Sequence, residues 1–270
     1  AGYSDRNNPL LMQYLNRWDN AEKNNFFGKI YAEVDLIENL TFRTSLGIDF
    51  SDFKSKDIER RVNNGFITRS NNRLTFDTNK YTSVVFTNTL NYKLEVGDHN
   101  FGLLLGAESV KNDFDSVIAR ADDFAVEQES YFVLDASTGA RTSNGNSSGN
   151  RLLSQFGKLN YSFDNRYLAS VTVRRDGSSR FGKNNRYGVF PAATAGWRIS
   201  NEEFLKNNEI ITNLKFRAGY GEVGNQAIGD LARFGLYESR YGPTLSQYTG
   251  GFFEQYYNVG TAYDINGNDT

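Results

Sequence analysis

The chain has no cysteine, one histidine (His99), three prolines and one methionine in 270 residues. Without cysteine there is no disulfide framework and no thiolate chemistry. A lone histidine leaves no ligand set for a zinc site of the His/Cys kind, so no metal or other cofactor is expected. The 30 basic and 32 acidic residues nearly cancel, to a net charge of −2, which lacks the broad positive footprint of a nucleic-acid binder. No apolar run approaches the roughly 18 residues of a transmembrane helix. The opening AGYSDRNNPL has neither the basic start nor the apolar segment of a signal peptide, so none is expected here. The mean hydropathy of −0.58 reads as water-soluble. A sheet with one lipid-facing side gives the same value, because its apolar residues occupy every second position and leave no hydropathy peak.

What the chain does have is Phe (21), Tyr (16) and Gly (25) in quantity, a composition suited to antiparallel β-structure. From Gly28 the sequence alternates with period two: Ile30, Ala32, Val34 and Leu36 against Lys29, Tyr31, Glu33 and Asp35. After the turn Ile37-Glu38-Asn39 the pattern resumes with Leu40, Phe42, Leu46, Ile48 and Phe50 on one face. Further strands are expected over 80–94, 101–107, 151–163, 167–173, 189–199 and 214–220, with Asp164-Asn165-Arg166 as a short turn. Val171 is assigned to the apolar face and Thr172 to the polar one. Strand eight places Leu214, Phe216, Ala218 and Tyr220 outward and Lys215 and Arg217 inward. Polar stretches at 51–79 and 111–150 read as long loops, and 200–213 as a short helix or turn; the tail 224–270 is Gly- and Tyr-rich and takes no assignment. Short connections alternate with long ones, as in a barrel with short turns at one end and long loops at the other. The fold expected is therefore all-β: an antiparallel transmembrane β-barrel segment of about eight strands.

Two segments imitate nucleotide motifs. GSSRFGKN, from Gly177 to Asn184, has the P-loop spacing but Asn where a magnesium-binding Ser or Thr is needed. GYGEVG, from Gly219 to Gly224, has the dinucleotide spacing, yet an amphipathic strand precedes it. A P-loop needs a buried strand before it and a helix after it; both neighbours here alternate. The cluster Arg174, Arg175, Asp176, Arg180, Lys183 and Arg186 supplies candidate lumen or rim polar residues, and the balanced net charge argues against a phosphate or nucleic-acid site there. Adjacent carboxylates (Glu202-Glu203, Asp122-Asp123) read as solvated, and His99 reads as a turn residue. No catalytic residue is expected. Trp197, across a hairpin from Tyr167, fits an aromatic girdle at a membrane interface.

The segment VTVRRDGSSRFGKNNRYGVFPAATAGWRISNEEFL, from Val171 to Leu205, closely resembles the hallmark barrel segment of SusC/RagA-type TonB-dependent transporters of the Bacteroidota outer membrane. LKFRAGYGEVGNQAIGD, from Leu214, resembles that family's next strand and its Gly-Asn-Gln turn. The resemblance implies a larger protein: a barrel of about 22 strands with an N-terminal plug. Residues 1–270 would then be an internal part of the barrel domain with the plug absent, unable to stand alone because it has two unpaired edges. It also implies an outer-membrane location, active import of glycans or peptides, a SusD-like surface lipoprotein as partner, TonB contacted through the plug region, and no enzymatic activity. The alternatives are a complete eight-stranded barrel with an adhesion or structural role, and a soluble β-sandwich that binds carbohydrate.

Overall fold

The computed structural model describes residues 9–63, 68–205 and 210–230, with the strand segments 237–240 and 256–259. Helix α1 (Pro9–Leu15) precedes β1 (Asn20–Ile37), β2 (Leu40–Glu59), the short β3 (Val62–Asn63) and β4 (Thr68–Arg69), β5 (Arg73–Val96) and β6 (His99–Asp122). Then come β7 (Arg141–Phe163), β8 (Tyr167–Ser178), β9 (Tyr187–Arg198), β10 (Lys215–Gly221), β11 (Tyr237–Arg240) and β12 (Tyr256–Val259). Eight strands form one sheet in the order β1-β2-β5-β6-β7-β8-β9-β10, while β3 pairs with β4 and β11 with β12. β1 and β10 are its two edges, so the sheet is not closed. The tight turns use residues that tolerate left-handed backbone: Asn39 (φ 64°), Gly97 (φ 57°), Asp164 (φ 46°) and Asn165 (φ 52°).

The residues divide between two compact units. In the unit formed by Lys29–Gly47, Val84–Lys111 and Asn150–Thr270, the register of β7 to β10 fixes which side chains share a face. Leu159 lies opposite Val171, which lies opposite Ala193, which lies opposite Tyr220. Phe163, Tyr167, Trp197 and Phe216 form a second such row. The other face carries Asn160, Ser170 and Thr194 in one row and Lys158, Thr172 and Ala192 in another. Exposure along β8 alternates: Tyr167, Ala169, Val171 (51% exposed), Val173 (46%) and Arg175 are exposed, while Leu168, Ser170, Thr172, Arg174 and Asp176 are half-buried. A sheet in water hides its apolar face. In β8 the mostly apolar face is the more exposed one.

The unit formed by Ala1–Gly28, Ile48–Ser83 and Asn112–Gly149 holds the buried apolar core: Ile58, Leu74, Ala121, Phe124 and Phe132, flanked by Trp18, Phe76 and Leu134. The ring centroids of Phe124 and Phe132 are 4.7 Å apart. Asn72, fully buried, stands in for a paired strand: its Oδ1 accepts from the Phe124 N–H at 2.6 Å and its Nδ2 donates to the Phe124 carbonyl at 3.0 Å. With both groups satisfied, burying this amide carries no desolvation penalty left unmet.

The strands are longer than the sequence predicts. β2 runs on to Glu59, β5 starts at Arg73, β6 reaches Asp122 and β7 starts at Arg141, so much of 51–79 and 111–150 is strand rather than loop. Residues 64–67 of the first expected loop lie outside the described residues. The period-two signal comes from regularly spaced apolar residues, and in these extensions apolar residues such as Ile58 and Leu74 are isolated among polar ones. Their ladders are reinforced by polar bonds such as Ser147 Oγ to Asp115 Oδ1 at 2.6 Å. The Asn-, Ser- and Gly-rich run at 142–149, which reads as loop, lies within β7. At Gly149 a Cβ would come within 3.0 Å of the Asn112 carbonyl, so this glycine admits close strand approach. The segment 200–213 begins with a 3-10 turn, Ile199–Asn201; residues 206–209 lie outside the described residues, as does most of the tail.

The register makes the facing testable. In the full-length protein, Val171→Arg is expected to reduce assembly into the membrane far more than Thr172→Arg, because an arginine held among lipid chains costs about 2–4 kcal/mol. Heat-modifiable migration of the assembled protein is the readout. Equal effects would refute the facing.

Candidate functional site

The candidate residues divide between the two faces and the loop beyond β8. Arg174 and Asp176 lie on the polar face. Arg174 Nε donates to both Asp176 oxygens at 2.8 and 2.9 Å, and its Nη2 donates to Ser154 Oγ at 2.8 Å and stands 3.6 Å from Glu108. Arg175 is on the opposite, apolar face. Its guanidinium sits 4.2 Å from the Tyr187 ring centroid and donates to Gln155 Oε1 at 3.3 Å. This keeps a charge on an otherwise apolar face in contact with an aromatic ring and an amide.

Arg180 fastens the loop 179–186 to the segment after β10. Its Nε donates to Asp230 Oδ1 at 2.7 Å and its Nη1 to the Gln226 carbonyl at 2.9 Å, while Asn150 Nδ2 donates to the same Asp230 oxygen at 3.0 Å. The root of the loop is closed by Ser178 N–H to the Arg186 carbonyl at 3.0 Å. Lys183 is exposed at the tip. Arg186 lines a cavity of about 290 Å³ together with Asp176, Ser178, Phe181, Phe190 and Gln226. A larger concavity of about 730 Å³ on the polar face is lined by Lys93, Asn160, Ser170, Thr194, Lys215 and Arg217, among others.

The glycines that imitate nucleotide motifs have another use. A Cβ on Gly177 or on Gly224 would run into the ring of Tyr187 or Phe190 respectively. A Cβ on Gly219 would lie 3.1 Å from Thr194 Cγ2, and one on Gly221 3.0 Å from Ala192 Cβ. They make room for aromatic rings and for β9, and the loop after Gly177 leads into strand β9 rather than a helix. Neither segment has the strand–loop–helix context that phosphate binding requires.

At the other end of β8 and β9, Glu202 is not simply solvated, as the sequence suggests. It accepts from Trp197 Nε1 at 2.9 Å and from Arg166 Nη1 at 3.0 Å, and Arg166 also pairs with Asp164 at 2.7 Å. The Trp197 indole first, then the Tyr167 hydroxyl, with Arg166 adding to both, hold the Glu202 carboxyl below the usual carboxylate range against the opposing effect of burial. Glu202 thus joins Tyr167 and Trp197, which face each other in register. His99, at its own turn, packs against Phe163 (4.8 Å between centroids), with Nδ1 2.9 Å from the Tyr161 hydroxyl.

Sequence reading missed Glu108, Ser154, Gln226 and Asp230. Each is legible only as the partner of an arginine: strand pairing brings Glu108 and Ser154 to Arg174, and the contact of the loop after β8 with the segment after β10 brings Gln226 and Asp230 to Arg180. Asp230 lies 50 positions from Arg180.

The profile of the family described as TonB dependent receptor-like, beta-barrel matches residues 1–269. The chain belongs to this family. It is 30% identical over 238 residues to TonB-dependent receptor P3 of Formosa agariphila, covering 86% of this chain and 23% of that protein. It is 31% identical over 236 residues to TonB-dependent receptor SusC of Bacteroides thetaiotaomicron, covering 83% of this chain and 22% of that protein. The RagAB peptide transporter structure shares its fold, with a TM-score of 0.75 at 22% identity over 90% of this chain and 27% of that one. The chain therefore spans less than a quarter of the length of these curated relatives. It is an antiparallel outer-membrane β-barrel segment of the SusC/RagA kind, as its Val171–Leu205 segment leads one to expect. Phe163, Tyr167, Trp197 and Phe216 form an aromatic row on the apolar face of the sheet.

Glu202 gives a signed pH dependence. A carboxyl whose folded pKa is depressed contributes stability that is present above its unfolded pKa, about 4.3, and is lost as pH falls through the folded value. Glu202→Gln is therefore expected to lower the temperature of heat-modified migration at pH 7. The gap from the parent should close as pH falls below about 4; a gap that does not change with pH would contradict the role.

Proposed function

We propose that this chain is part of the barrel wall of a TonB-driven nutrient importer, with a transport rather than a catalytic role. The observation that carries the reading is the inverted two-faced sheet: valines, alanines and aromatics exposed on one face, and serines, threonines and paired ions on the more enclosed one. In a membrane the enclosed polar face borders the interior of the barrel. Membership of the TonB-dependent receptor family supports a solute path there. The plug, the remaining strands and the contact with TonB would belong to the rest of a longer protein, and a SusD-like surface lipoprotein would be its partner. The solute would be a glycan or a peptide. The RagAB structure is described as a peptide transporter, and the relative SusC fits either class. Arg174, Asp176, Arg180, Lys183 and Arg186 would border the path or its rim, and Arg175 the lipid side of that rim.

The test is uptake. Cells carrying the full-length gene are expected to accumulate a labelled oligosaccharide or oligopeptide, and to lose accumulation on deletion of the gene or collapse of the proton gradient. Normal growth on every oligosaccharide and peptide offered after deletion, with the 270-residue chain alone assembling as a heat-modifiable barrel, would favour the small adhesion or structural barrel instead.

A further inference from the structure

The arginines around the loop after β8 differ in what meets their charge. Arg174 is paired with Asp176 and Glu108 and Arg180 with Asp230, while Arg175, on the opposite face, lies against the Tyr187 ring and donates to Gln155. Arg186 has no ion pair among the described residues, and its Nε is buried without a hydrogen-bond partner. It lines the cavity of about 290 Å³, whose one carboxylate among the lining residues, Asp176, is held by both oxygens on Arg174. The remaining polar groups there are neutral: Ser178, Asn185, Asn225 and Gln226; Leu152, Phe181, Tyr187 and Phe190, with Gly188 and Gly224, supply the rest of the lining. A partly desolvated guanidinium without a counter-charge is unfavourable unless an anion completes it. The planar fork of arginine matches a carboxylate through two parallel hydrogen bonds. Neutral hydroxyl and amide neighbours add hydrogen bonds without competing for the charge.

We propose that this cavity is a carboxylate-binding subsite in which the Arg186 guanidinium receives the anion. Its volume admits one acidic residue or sugar ring, not an oligomer. The carboxylate has two possible sources with the same chemistry: an acidic group on an imported solute, or an Asp or Glu side chain from a part of the full-length protein beyond this chain. The subsite rests on the reading of the polar face as the inner wall.

The experiment uses the purified full-length protein in detergent and calorimetric titration with digalacturonate and with the dipeptide Glu-Glu, each beside its methyl ester. If the source is a solute, one acid binds, its ester binds about tenfold or more weakly, Arg186→Ala shows the same loss and Arg186→Lys recovers part of it. If the source is internal, neither acid binds. A cryo-EM map of the full-length protein then shows an Asp or Glu paired with Arg186, and Arg186→Ala lowers the temperature of heat-modified migration, with partial recovery in Arg186→Lys. Acid and ester binding alike, or no binding together with a map in which no carboxylate meets Arg186, would overturn the subsite. Failure of the wild type in the uptake assay above would instead tell against the importer reading itself.

Discussion

Inside a bilayer no water is available to satisfy a backbone N–H or C=O, so each strand must find its partners in its neighbours. That constraint organises everything else in this chain. It demands a continuous ladder, and the ladder gives side chains a strict period of two. One set of side chains must then be compatible with lipid and the other with an aqueous or protein interior. The rows Leu159–Val171–Ala193–Tyr220 and Asn160–Ser170–Thr194 are this rule expressed in residues. A slip of one residue anywhere in β8 would exchange Val171 with Thr172 and Val173 with Arg174, placing the Arg174–Asp176 pair among lipid chains.

The segment from Val171 to Leu205 is tied down at both ends by charged side chains placed off the apolar face. At one end Glu202 gathers Trp197, Tyr167 and Arg166. At the other, Arg180 binds Asp230 and the Gln226 carbonyl, joining the loop after β8 to the segment after β10. Between them the strand ladder is reinforced by cross-strand side-chain bonds, such as the one between the Ser170 and Thr194 hydroxyls at 2.6 Å. The two stretches whose sequences resemble the family, around Arg180 and around Gln226, are therefore in direct contact in space.

Much of this was legible in the sequence. The sharing of one face by Val171 and Phe216, opposite to Thr172 and Lys215, agrees with the register, because side chains alternate strictly along paired strands. The strand extensions 51–59, 73–79 and 142–150 were not legible. In 51–59 and 73–79 the few apolar residues, such as Ile58 and Leu74, are scattered among polar ones, and 142–150 is polar throughout, so these strands look like loops in composition. The arginine partners were hidden for a different reason. Glu108 and Asp230 reach Arg174 and Arg180 only through the pairing of distant strands and loops. Glu202 looked solvated because nothing in the sequence shows that the β9 exit folds back to the turn at Asp164 and Asn165, where Asn201 Nδ2 donates to the Asn165 carbonyl at 3.3 Å.

The central claim is that the apolar face of β8 meets lipid and its polar face meets the barrel interior. The most direct measurement is a nitroxide scan of positions 167–176, one spin label at a time, in the full-length protein in lipid. Accessibility to oxygen, which partitions into the bilayer, would be compared with accessibility to a water-soluble nickel chelate. The account predicts a period of two, with oxygen favoured at positions 167, 169, 171 and 173 and depressed at 168, 170, 172 and 174. A flat profile, or the chelate favoured at the odd positions, would contradict it.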